Sequence, residues 1–171
     1  MGHLGITRNN PDYYALQVLD IILGWGPGFT SRIPAHLRDE QGLAYTTYST
    51  ITATADLYPG LFMAYMGTKS ENVEKGVQGI LKEIALLKEK GVSQEELQTA
   101  QSYLTGSFVF NFETNAQMVS YLIQNELYSL GSDYPQTYLE SIQKVTQEDV
   151  LRVARHYLDE KNYSLVIVEP E

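Results

Sequence analysis

The sequence predicts an α+β domain of two layers, a mainly antiparallel sheet packed against helices. Three observations carry that prediction. Two runs rich in β-branched and aromatic residues, 46–54 and 61–67, flank the turn Asp56-Leu57-Tyr58-Pro59-Gly60 and read as an antiparallel pair. From Ser70 to Leu158 apolar residues recur instead at helical spacing. A last continuous apolar run, Leu165 to Val168, reads as a buried strand.

Taken in order, residues 3–8 read as a strand, with Leu4 and Ile6 alternating against smaller or polar neighbours. Asn9-Asn10-Pro11-Asp12 begins a helix: Asn10 caps it, Pro11 takes the first helical position and Asp12 favours the positive end. Leu16, Leu19, Ile22 and Leu23 give that helix one buried face. Gly24-Trp25-Gly26-Pro27-Gly28-Phe29 follows. It lacks the Gly-Lys-Ser/Thr ending of a phosphate loop and the spacing of a dinucleotide fingerprint, so on its residues alone it is a flexible turn between helices.

Thr30 to Tyr45 reads as a short helix that stops at a glycine and feeds into a strand. Thr30 or Ser31 can cap it, Pro34 lies in the first turn where its missing N–H is not needed, and Gly42 supplies the left-handed residue that ends helices. Arg38, on the last helical turn, and Tyr45, at the head of the strand, can then face one surface. A cation beside a phenol is a donor pair suited to an anionic or carbonyl oxygen. The alternative is that Arg38 pairs with Asp39 or Glu40 as a helix-end charge and Tyr45 packs in the sheet.

In the return strand Phe62, Ala64 and Met66 share one face, and Met63 and Tyr65 the other. Ser70 opens a long helix with the stripe Val73, Val77, Ile80, Leu81, Ile84 and Leu87; Lys88 and Lys90 sit at its negative end before Gly91. Ser93-Gln94-Glu95-Glu96 is a capping box, and its helix carries Leu97, Ala100, Leu104 and Phe108, with Gly106 as a kink or close-packing point. Thr114 to Gln117 repeats the pattern and starts a helix through Val119, Leu122, Ile123 and Leu130. Gly131 to Pro135 breaks it, a short helix spans Tyr138 to Ile142, and Val145 to Val150 caps one more, with Leu151, Ala154 and Leu158 inward.

The 171 residues suffice for one domain with a proper core, and no linker or repeat divides 1–171. A net charge of −9 without any basic cluster argues against nucleic acid. No apolar run approaches the roughly 20 residues of a membrane span, and the first residues lack a signal architecture. No cysteine is present, which with the missing targeting segment makes a cytoplasmic setting the expectation. An opening strand at the first residues is expected of a segment of a longer chain. His3, His36 and His156 each lack a second histidine three to five residues away, so no zinc set is predicted, and no motif marks a nucleophile.

Ser31-Arg32-Ile33 followed by Leu37-Arg38-Asp39-Glu40-Gln41-Gly42-Leu43-Ala44-Tyr45 resembles the second-domain signature of the pitrilysin/insulinase (M16) zinc peptidases, which include mitochondrial processing peptidase. Asn10 to Leu16, Gly91 to Leu97 and Val145 to Val150 match further landmarks in order and separation, so the resemblance covers nearly the whole chain. It implies the processing-peptidase-like fold and the zinc-free C-terminal half of a metallopeptidase. The zinc-bearing half of that family carries His-x-x-Glu-His and a distant Glu; this chain has no such motif, so no cofactor is implied here and zinc is expected in the partner domain. The implied partners are that homologous domain, in the same chain or a separate subunit, and a peptide substrate; a homo-oligomer is allowed. Arg38 and Tyr45 occupy the positions that contact substrate near the scissile bond, and Gly24, Gly26, Gly28 and Phe29 those of a glycine-rich loop lining the peptide chamber. Arg32 is left as a structural salt-bridge residue. The isolated chain is expected to be inactive, the other implied role being a non-catalytic scaffold or peptide-binding subunit.

Overall fold

The computed structural model describes residues 1–26 and 31–168. Its elements are β1 (Gly2–Leu4), α1 (Tyr13–Asp20), α2 (Arg32–Pro34), β2 (Thr46–Thr50), β3 (Leu61–Gly67), α3 (Val73–Lys90), α4 (Gln94–Ser107), α5 (Asn115–Leu127), α6 (Tyr134–Lys144) and α7 (Gln147–Tyr157). Both α1 and α2 continue as π-helical turns, Ile21–Trp25 and Ala35–Glu40. The sheet has the order β1-β3-β2 with both pairings antiparallel, Gly2 opposite Met63 and Thr46 opposite Gly67. This is the α+β class that the sequence predicts, with Phe62 and Ala64 turned into the core and Tyr65 turned out.

Helix α1 is the hub. Ala15, Leu16, Val18 and Leu19 are buried on more than one face, because α1 packs against α4, α6 and α7 while its π-turn lies on β2. A single carboxylate in this apolar setting fixes where β2 stops. Asp20, buried, accepts from Thr50 Oγ1 (2.8 Å), the Ile51 N–H (2.8 Å), the Thr52 N–H (2.9 Å) and Thr52 Oγ1 (2.6 Å). The strand expected over 46–54 therefore ends at Thr50, its next two amides turned onto Asp20 rather than into the ladder. The π-turn comes so close to β2 that a Cβ on Gly24 would lie 2.5 Å from the Ser49 nitrogen.

Ser93, Thr114 and Thr146 cap α4, α5 and α7 in reciprocal boxes with Glu96, Gln117 and Asp149. Gly42 and Gly91 take φ of 60° and 70° where helical segments end. Several expectations are corrected. β1 is only Gly2–Leu4, since Gly5 and Arg8 bond to the carbonyls of Gly60 and Asp56 in the turn. The first helix begins at Tyr13, because the Asn10 side chain accepts the Asp12 N–H in a local turn. α6 starts at Tyr134, with Pro135 in its first turn as a helix former rather than a breaker. A Cβ on Gly106 would meet nothing within 4 Å, so it is no close-packing point.

Two apolar runs are not core. Val119, Leu122 and Ile123 form an exposed side of α5, which ends before Leu130. Leu165 to Val168 is neither strand nor buried, with exposures from 44% to 90%. Gly2 and Ser164 exchange one antiparallel pair of hydrogen bonds, and in that register Val166 to Val168 have no residue of β1 opposite them. Among the described residues no helix is long and apolar enough to cross a membrane.

Candidate functional site

The segment from Ser31 to Tyr45 is held from below by its apolar residues. Ile33 and Leu37 are fully buried, and Leu37 packs so closely on α3 that a Cβ on Gly79 would clash with its Cδ2. Ser31 does not cap α2: its hydroxyl donates to the Ile21 carbonyl (2.8 Å) and accepts the Gly26 N–H (2.9 Å), tying α2 to the π-turn that ends α1. Thr30, the other expected cap, lies outside the described residues. Arg32 is bidentate to Glu96, at 2.6 and 2.9 Å, and also reaches the Gly91 carbonyl (2.9 Å), which locks α2 to the cap of α4. Its role is the structural one.

A π-turn adds a residue to the helical repeat and re-aims the side chains it carries. Here the turn carries His36 and Arg38. His36 lies 3.0 Å from Glu40 and 4.0 Å from buried Glu83. Arg38 donates from Nε to Asp39 Oδ1 (2.9 Å), so the ion pair left open by the sequence forms, and the Asp39 hydrogen bond holds the guanidinium above its ordinary range. Its side chain keeps 31% exposure.

Past Arg38 the chain reverses at Gly42, whose N–H returns to the Arg38 carbonyl (3.1 Å), and Leu43 N–H bonds to the Leu37 carbonyl (2.8 Å). The Tyr45 N–H then bonds to Gly67 (3.0 Å). Tyr45 is thus anchored through its backbone while its side chain is 91% exposed; it does not pack in the sheet. Arg38 and Tyr45 flank the same pinned turn, each reached by solvent.

The glycine-rich loop divides. Gly24 is buried against Ser49 and serves close packing, and Gly26 is fixed by Ser31. Gly28 and Phe29 lie outside the described residues. Next to the loop is an aromatic row that the sequence reading did not single out: Trp25 meets Tyr48 edge-on (5.3 Å), and Tyr48 stacks on Tyr65 (5.2 Å) across β2 and β3. Trp25 and Tyr65 are about half exposed, 48% and 49%. The legible signal was the period-two placement of Tyr65 on the outward face; the cross-strand register that sets Tyr48 opposite it was not legible.

Among the described residues no three histidine, aspartate or glutamate side chains converge to hold a metal ion, so a zinc centre does not fit them. His3 Nε2 accepts the Asp159 N–H and His156 stacks edge-on against Tyr157.

Proteins similar to this chain in sequence and fold occur among bacterial zinc proteases. The chain is 30% identical to an uncharacterised zinc protease of Streptomyces coelicolor over 99% of its own length and 36% of that protein's. It is 28% identical to a protein of Helicobacter pylori named a non-peptidase homolog, over 84% of this chain and 33% of that one. A crystal structure of a peptidase M16 inactive domain from Pseudomonas fluorescens superposes with a TM-score of 0.83 at 31% identity, covering 93% of this chain and 37% of that one. The family model described as the peptidase M16 inactive domain matches residues 1–104, and the chain belongs to that family. It spans about a third of the length of these relatives.

Proposed function

We propose that this chain is the C-terminal, zinc-free half of a metallopeptidase that binds peptide and completes the active site of a homologous zinc-bearing domain. The zinc of that other domain supplies a polarised carbonyl and an activated water. This chain's part is to meet the charge that grows on the carbonyl oxygen, with the Tyr45 hydroxyl and the Arg38 guanidinium as donors. Asp39 orients Arg38, and the bonds of Gly42, Leu43 and Tyr45 hold the two donors on one stiff turn. The aromatic row Trp25, Tyr48 and Tyr65, its two ends about half exposed, would take apolar side chains of the peptide. The observation that carries the reading is the 91% exposed phenol of Tyr45 on a backbone fixed at both ends, an arrangement with no packing role.

The test is reconstitution with the zinc-bearing half. The chain alone should cleave nothing. In the reconstituted pair Tyr45→Phe and Arg38→Ala should each lower kcat about 100- to 1000-fold, the range for losing one preorganised donor, with a smaller change in KM. Turnover by both variants at the native rate would refute it. The Helicobacter relative's name favours a second reading, a non-catalytic scaffold or peptide-binding subunit. It predicts peptide binding without turnover in any combination of halves.

A further inference from the structure

Arg8 sits where a lone cation is out of place. It is only 9% exposed, yet it takes part in none of the ion pairs among the described residues. Its guanidinium lies 3.9 Å over the Tyr13 ring, with Tyr128 and Tyr134 at 5.6 and 5.7 Å, and donates to the Tyr134 hydroxyl at 2.6 Å. The nearby carboxylate of Asp56 is taken by the Tyr128 hydroxyl (2.9 Å). Aromatic faces and a neutral phenol offset a buried charge less well than a hydrogen-bonded carboxylate.

Two clefts, of about 370 and 430 Å³, open on this cation and share Arg8, Tyr13, Gln17 and Gln124 as walls. Gln17 points the same way. Its amide nitrogen lies 3.5 Å from the Tyr13 hydroxyl, and its amide oxygen is buried with no hydrogen-bond partner. A buried guanidinium outside every ion pair among the described residues and a buried amide oxygen lacking a partner thus meet on one tyrosine, beside enough space for a small molecule.

We propose that this paired cleft binds a small organic monoanion through a free carboxylate, forked on Arg8, with Gln17 bonding to a polar group next to it. A carboxylate fits better than a phosphate, because among the described residues Arg8 is the one cationic side chain lining either cleft, and the chain as a whole carries −9. The carboxylate can come from a simple organic acid or from the C-terminus of a short peptide. The proposal is independent of the peptidase reading and is read out without turnover.

Calorimetric and thermal-shift titrations of the chain would use propionate, a tripeptide with a free C-terminus, the same tripeptide amidated, and inorganic phosphate. Saturable binding of the free-acid tripeptide, at least tenfold weaker for its amide, is the expected result. Propionate binding as well assigns the site to carboxylates at large; tripeptide binding alone assigns it to peptide ends. Arg8→Gln should weaken binding at least tenfold. Should that variant fail to fold, Gln124→Trp, on the exposed side of α5, fills the shared wall of the clefts and should abolish binding with an unchanged circular dichroism spectrum. The proposal is overturned by equal binding of acid and amide, by phosphate outbinding both carboxylates, by no saturation with any carboxylate into the millimolar range, or by full affinity in Gln124→Trp.

Discussion

Asp20→Asn isolates a buried carboxylate that burial drives upward, to about 6 from an ordinary value of 3.8. The folded state therefore binds its proton more tightly than the unfolded state. Its stabilising contribution is complete below about pH 4 and is lost as pH rises through 6. The difference of 6 against 3.8 amounts to about 3 kcal/mol between the two limits. Asparagine removes that dependence and adds a constant cost. Oδ2 now accepts three bonds and Oδ1 one, from Ile51, so the amide nitrogen would go to the Ile51 side and leave that N–H unpaired. That loss should cost about 1–3 kcal/mol at every pH. Urea unfolding of both proteins at half-unit steps from pH 3.5 to 7.5 gives the stability difference directly. Other carboxylates are held low, Asp12 by its Arg152 hydrogen bond and Asp159 by that of Asn162, but they cancel in the comparison. The advantage of the native protein over the variant should shrink by about 3 kcal/mol across the window, at no more than about 1.4 kcal/mol per pH unit. A difference that stays flat from pH 4 to 7 would show that Asp20 is not titrating there.

Arg32→Ala should cost about 1–3 kcal/mol, because it strands both Glu96 and the Gly91 carbonyl. Burial raises the Glu96 pKa, but the Arg32 and Ser93 hydrogen bonds outweigh it and bring the group below 4.5, so this contribution should hold at neutral pH and fade as acid protonates Glu96. Urea melts at pH 7 and pH 3 check both statements, and a loss that persists undiminished at pH 3 would contradict them. Gly24→Ala should cost about 1–3 kcal/mol through overpacking on Ser49, whose nitrogen and hydroxyl leave a Cβ no room; a thermal melt within experimental error of the parent would show that the π-turn can retreat from β2.

What the sequence disclosed was what neighbours in the chain decide. The three capping boxes, the left-handed Gly42 and the inward face of β3 all follow from spacing and backbone preference, and each is observed. What it hid was set by partners far along the chain. Asp20 lies among the apolar residues of α1, and only the fold shows that its four donors come from residues 50–52. The same holds for Arg8, whose hydroxyl partner stands at Tyr134.

The apolar runs mark that limit most clearly. Hydrophobic periodicity states that a face is to be covered and not what covers it. For Ile80 and Ile84 the cover lies within the chain, and both are buried. For Ile123 on α5 and for Val166 the composition is similar and the exposure is 60% and 77%. At Val166 the isolated antiparallel bridge between Gly2 and Ser164 is not extended into a ladder, so its apolarity is left uncovered among the described residues. Arg38 and Tyr45 obey the opposite logic. Their neighbours Leu37 and Ala44 are buried and fix the turn, which holds the Arg38 guanidinium on Asp39, partly exposed, and leaves the Tyr45 phenol in solvent. The proposed contact with peptide rests on this turn, which sets the Arg38 guanidinium against Asp39 and the Tyr45 phenol in solvent.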